Sequence, residues 1–223
     1  MDTEDGRYMG SVIEGQLTGD GIMFFHNGDK YDGQWLEGQF HGRGSLVYSN
    51  GDTFKGFFKQ GKRHGKGLHI RRKEGDTLGD GDWGYMYDGD YVEDMRQGYG
   101  VLKTLKPPDD NEGVRYIEYQ GAWEGDTFHG KGRLQVYDSQ TRQFLFEEHD
   151  GSFVRGQRDG LGRSRKLKDA EQYGDDEEFR RELLQQEMLE YVDFVGDFRR
   201  DKPVYVTGVL KTVRVPRERE REP

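Results

Sequence analysis

The chain has no cysteine and only 5 prolines among its 223 residues. Disulfides, thiolate metal sites and cysteine nucleophiles are thereby excluded together. Apolar residues are scarce as well, at 31% against 35% charged, with a mean hydropathy of −1.07. No apolar run approaches the roughly 18 residues that a membrane-spanning helix needs. The opening MDTEDGRYMG lacks an apolar stretch, so no secretory signal is expected. No Asn-x-Ser/Thr acceptor is present, and the expected setting is the cytoplasm. A net charge of −9 disfavours a nucleic-acid partner. Composition this polar points toward disorder, but an aromatic share of 13% argues against it.

What the chain has in excess is glycine, 34 residues, about twice the usual share of ~7%. The glycines recur. Tyr31-Asp-Gly33-Gln-Trp35-Leu-Glu-Gly38-Gln-Phe-His41-Gly42-Arg-Gly44 realigns with Phe54-Lys-Gly56-Phe-Phe58-Lys-Gln-Gly61-Lys-Arg-His64-Gly65-Lys-Gly67 at a step of 23. Further copies start at Tyr8, Tyr87, Tyr119 and His149, and a degenerate seventh starts at Phe194. The steps are 23, 23, 33, 32, 30 and 45, each excess falling after the His-Gly-x-Gly of a copy. Asp94 and Gln97 depart from the pattern in the fourth copy, and the middle glycine shifts to Gly125 in the fifth.

In an extended strand the ring at the first place, the glycine at the third and the ring at the fifth share one face. A bare glycine between rings leaves room for an aromatic to lie over the backbone. The middle Gly and the His-Gly pair are expected in a turn that needs positive φ, and Asn27-Gly28 and Asn50-Gly51 in two-residue turns. Each copy then reads as one β-hairpin. Hairpins stacked in order give an all-β, elongated, single-layer twisted antiparallel sheet, and twelve strands at ~4.8 Å would span on the order of 55 Å. The open ends of such a sheet can pair with a further strand, end to end or between two copies.

Residues 1–168 therefore read as six repeats, with inserts near 73–85, 106–114 and 138–148. Residues 169–193 read as an inserted amphipathic helix, with Phe179, Leu183, Leu184, Met188, Tyr191 and Val192 along one stripe of Asp175–Val192. Residues 194–216 read as the degenerate terminal repeat, and 217–223 as a disordered tail.

Candidate chemistry is sparse. Gly79-Asp80-Gly81-Asp82-Trp83-Gly84 has Gly-x-Gly-x-x-Gly spacing, but without a strand before it and a helix after it the phosphate cradle is absent. His41, His64 and His129 recur one per repeat, which suits packing and not convergence on a metal. No catalytic residue, cofactor site or metal site is assigned, and the chain is not expected to be an enzyme. Two features are candidates for binding. The aromatic row of Tyr8, Tyr31, Trp35, Phe54, Phe58, Tyr87, Tyr91, Tyr119, Trp123 and Phe153 either packs the repeats or lines a trough for an extended peptide or helix. Arg163, Arg165, Lys166 and Lys168 form either a solvated face or a site for an acidic polypeptide or anionic lipid.

The Tyr-x-Gly-x-Trp-x-x-Gly-x-x-His-Gly-x-Gly pattern resembles the MORN repeat, the membrane occupation and recognition nexus. The resemblance covers residues 8–163 and, more weakly, 194–215. It implies a non-catalytic scaffold docking protein partners in a ciliary, flagellar or other cytoskeletal assembly, axonemal proteins among them. The alternative it implies is a peripheral membrane or phosphoinositide module. Catalytic domains that accompany such repeats in lysine methyltransferases and lipid kinases have no counterpart motif here.

Overall fold

The computed structural model describes residues 1–72, 84–104, 116–137, 145–168, 188–204 and 209–216. All regular structure there is β, and every pairing whose register is resolved is antiparallel. Two-strand hairpins are formed by β1 (Gly6–Ile13) with β2 (Gln16–Phe25), and by β3 (Lys30–Leu36) with β4 (Gln39–Val47). The same unit returns as β5 (Thr53–Lys59) with β6 (Lys62–Arg71), and as β7 (Tyr85–Val92) with β8 (Met95–Thr104). It returns again as β9 (Tyr116–Glu124) with β10 (Thr127–Tyr137), and as β11 (Leu145–Val154) with β12 (Gln157–Leu167). The last long strand, β13 (Met188–Arg199), carries β12 on one edge and both β14 (Lys202–Pro203) and β15 (Val209–Pro216) on the other. Hydrogen bonding follows chain order from β1 to β8 and from β9 to β14. The predicted all-β sheet of successive hairpins is the observed one.

By contacts the chain forms two compact units. One is Met1–Pro107 with Trp123–Asp126, and the other Pro108–Ala122 with Thr127–Pro223. In the first, Gly33 faces Gly44 within a hairpin while Gly21 faces Gly33 across hairpins. In the second, Gly132 faces Gly151, which in turn faces Gly162. A Cβ on Gly33 would lie 2.5 Å from Gly44 Cα, and one on Gly151 would lie 2.6 Å from Gly162 Cα. These pairs are glycine because two backbones and a ring meet there.

The turn chemistry differs from the sequence rule. The two-residue turn lies at the opposite end of the hairpin from Asn-Gly: Leu36 pairs with Gln39, and Glu37 and Gly38 between them both have positive φ, 51° and 76°. That pair of left-handed residues suits the right-handed twist of the strands. Asn27-Gly28 instead sits in a three-residue loop closed by Phe25 N–H donating to Asp29 O, and Asn50-Gly51 in one closed by Tyr48 N–H donating to Asp52 O. The Asp29 N–H donates to Asn27 Oδ1, so the asparagine side chain closes the loop from within. The His-Gly pair is not in a turn either. His41 lies within β4 and Gly42, at φ 58°, forms a bulge that slips the register between Gly33 and Gln34.

The expected helix needs correction at its end. Its residues 175–187 lie outside the described residues, but Met188–Val192 belong to β13. There Val192 pairs with Lys166 on one side and Thr212 on the other. Two flanking strands claim its backbone, and Leu-Glu-Tyr-Val suits a strand as well as a helix. Of the expected inserts, residues 73–83, 105–115 and 138–144 lie outside the described residues, as do 205–208 and the tail. Tyr85 and Leu145–Glu148, expected within the inserts, belong to β7 and β11.

Candidate docking surface

The aromatic row is fully sealed. Tyr8, Tyr31, Phe54, Tyr87 and Tyr119 are completely buried, and Trp35, Phe58, Tyr91, Trp123 and Phe153 are at most 5% exposed. The first ring of each hairpin meets the fifth-place ring of the next edge-on. The centroids of Tyr8 and Trp35 are 5.5 Å apart, those of Tyr31 and Phe58 5.3 Å, of Phe54 and Tyr91 5.3 Å, and of Tyr87 and Trp123 5.1 Å. In the second unit Tyr119 meets Phe153 at 5.4 Å and His149 meets Phe198 at 4.7 Å. T-shaped pairs place the positive edge of one ring on the negative face of another. Most polar tips are satisfied internally, the buried Tyr91 hydroxyl being an exception. The hydroxyls of Tyr8, Tyr31, Tyr87 and Tyr119 each donate to the carbonyl three residues on, and Trp35 Nε1–H donates to Gly21 O. Burial raises the pKa of the Tyr31, Tyr87 and Tyr91 hydroxyls well above the usual phenol value.

Direct partner contact by these ten rings would need an open trough, and the structure closes it. The lid is a column that sequence reading passed over, the residue nine places after each first ring. Phe40 stacks on Tyr31 at 3.9 Å and Phe128 on Tyr119 at 3.8 Å. The Arg63 guanidinium lies over Phe54 and Tyr91, and that of Arg96 lies 4.5 Å from the Trp123 centroid. A column that mixes leucine, phenylalanine and arginine has no single residue type to betray it, yet its spacing of 23 between positions 17, 40 and 63 is visible in the sequence.

The basic group is engaged too. Arg163 donates to Asp193 Oδ2 at 2.6 Å, Arg165 clamps both oxygens of the same carboxylate at 2.7 and 2.9 Å, and Lys168 reaches Glu190 at 2.8 Å. Asp193 is buried, and the Arg165 hydrogen bonds hold its pKa below the usual carboxylate value. An anionic partner would compete with that carboxylate.

Alternation leaves the other face of the strands open. Met9, Phe24, Phe57, Tyr99, Leu161 and Val195 point there and are 39–65% exposed. Between them sit ion pairs such as Lys66–Asp90 at 2.8 Å in the first unit and Arg133–Glu148 at 2.7 Å in the second. In the second unit Leu161 and Val195 border a shallow groove of about 470 Å³ rimmed by Lys131, Asp150 and Arg163. Among the described residues no three His, Asp or Glu side chains converge as metal ligands.

The MORN repeat family matches at residues 31–53, 54–72, 87–103, 119–139 and 149–165. These are the second to sixth hairpins. The hairpin before them and β13 after them follow the same ring-and-glycine geometry without being matched. No curated protein matches the chain.

Proposed function

The chain is a MORN-repeat protein, and from that premise we propose that it is a non-catalytic scaffold docking partner polypeptides in a ciliary, flagellar or other cytoskeletal assembly. Repeats of this family are interaction modules for proteins and lipids. The observation behind this reading is the division of labour between the two faces. Every repeat ring is consumed in holding hairpins together, while large apolar side chains stand open on the reverse face between paired charges. Isolated exposed apolar residues are ordinary; here they recur on the reverse face of the strands within each unit, and that arrangement suits a polypeptide laid across the strands. The ring row then builds the platform, and the reverse face meets the partner. The cytoskeletal setting rests on the family resemblance.

The test is affinity purification with mass spectrometry from ciliated or flagellated cells, comparing the wild-type chain with a Phe57→Glu, Tyr99→Glu, Leu161→Glu variant. Cytoskeletal or axonemal proteins are expected with the wild type and are expected to be lost with the variant, whose thermal midpoint stays near wild type. Recovery of no such protein overturns the setting. Salt-sensitive sedimentation with anionic liposomes that is abolished by charge reversal of Arg163, Arg165 and Lys166 would instead favour the membrane reading.

A further inference from the structure

We propose that each hairpin selects its successor through a matched pair of side chains at the hairpin tips, arginine with aspartate or an apolar residue with glycine. One member is the lid residue, nine places after the first ring. Its mate is the second residue of the next hairpin's two-residue tip, seven places after that hairpin's first ring.

The six junctions are Leu17 with Gly38, Phe40 with Gly61, Arg63 with Asp94, Arg96 with Asp126, Phe128 with Gly156, and Arg158 with Asp201. In all six the tip N–H donates to the lid residue's carbonyl, at 2.8–3.1 Å. That backbone bond is indifferent to sequence. The side chains are not, because wherever the lid is arginine the tip is aspartate, and wherever it is apolar the tip is glycine.

Arg63 and Asp94 show the first type. The Arg63 N–H and Nε–H both donate to Asp94 Oδ1, at 2.9 and 3.0 Å, and Nη2–H donates to Asp94 O at 2.8 Å. Arg96 repeats all three bonds to Asp126, and Arg158 repeats the first two to Asp201. The arginines are only 14–21% exposed while the aspartates are 44–48% exposed. The guanidinium is therefore the group that needs a mate, since a mostly buried cation left unpaired is costly, although Arg158 also pairs with Glu147. The tip needs positive φ, which Asp94, Asp126 and Asp201 adopt at 65–71°. A non-glycine residue is disfavoured there, and the arginine fork offsets the strain. Beside Phe40, Phe128 or Leu17 no fork exists, and glycine meets the same φ without steric cost.

The arrangement penalises misassembly. If one hairpin were skipped, Phe40 would face Asp94, Arg96 would face Gly156, and Phe128 would face Asp201. Three of the five such skips are mismatched. Sheets of near-identical hairpins otherwise have little to tell one neighbour from the next, and unlike pairs at successive junctions supply that information.

The proposal concerns assembly of the sheet and does not depend on the docking reading. Its test is a double-mutant cycle on the full chain, read as urea midpoints. Phe40→Arg and Gly61→Asp are each expected to lower the midpoint, and the double variant to regain more than half of the summed loss. The reciprocal cycle, Arg63→Phe with Asp94→Gly, is expected to behave alike. A single variant that does not fold while its double does counts as the same result. If losses simply add in both cycles, or neither double folds, the matching is incidental and the proposal is overturned.

Discussion

At position 149 a histidine occupies the place that Tyr8, Tyr31, Phe54, Tyr87 and Tyr119 fill in the five preceding hairpins. It keeps their ring contacts, meeting Phe153 and Phe198 edge-on, but neither ring nitrogen has a hydrogen-bond partner. Burial first, and the nearby charge of Arg158 second, hold its pKa down at about 4, against the acidic side chains of Glu147, Asp150 and Asp201 that oppose the shift. His69 is held at about 4 by burial and by Arg63. Both imidazoles are thus neutral in the folded chain, whereas the unfolded chain takes up protons near the ordinary value of about 6.5. The unfolded state binds more protons between those values, so stability is full above about pH 6.5 and declines as pH falls toward 4. His149→Phe, which copies the third hairpin, is expected to stabilise the protein at pH 7 by about 1 kcal/mol through removal of the orphaned polar atoms. It should also flatten the decline between pH 6.5 and 4, leaving the share due to His69. Urea titrations at pH 7, 5.5 and 4.5 read both effects, and an unchanged pH slope would show that His149 is solvated in the native state.

At the scale of the hairpin, two kinds of glycine have different tolerances. A Cβ added to Gly33 would meet Gly44 Cα at 2.5 Å and Arg43 O at 2.7 Å, both backbone atoms that cannot step aside. Gly15 stands at a tip with φ 79° and nothing near a would-be Cβ. Gly33→Ala should therefore cost on the order of 2 kcal/mol or more by overpacking, whereas Gly15→Asn, which tolerates left-handed φ, should cost well under 1. Denaturant midpoints of the two variants decide it; equal losses would mean the strand glycines are not sites of close approach. Strand glycines, rings and hairpin order were legible in the sequence because they recur at fixed offsets. The turn types were not, because Asn-Gly supports more than one loop length and Asn27 here bonds back to Asp29. Nor was the closed trough, because the lid at Phe40, Arg63, Arg96, Phe128 and Arg158 mixes residue types whose shared role appears only when rings and tips are seen together. The strand state of Met188–Val192 was hidden for a third reason: its apolar spacing fits a helix stripe, and β12 and β15 decide the outcome.

At the scale of the whole chain, the principal contacts between strands among the described residues are those between neighbours in the ladder. A fold of that kind has approximately one-dimensional energetics, in which stability is a sum of hairpin terms and junction terms. A lesion should then weaken its own junction most and fade along the ladder. Trp35 is a suitable site, since it joins the first two hairpins by its ring contact to Tyr8 and its bond to Gly21 O. Trp35→Ala removes both and is expected to cost about 3 kcal/mol or more, as buried tryptophan truncations do. Native-state hydrogen exchange would read where that loss falls. Amides of β1–β4 are expected to lose most protection, while those of β11–β13 in the second unit stay near wild type. A uniform loss in every strand would instead mean that the chain unfolds as a single cooperative body, and the description by separable junctions, including the matched tips, would then fail as an account of its stability.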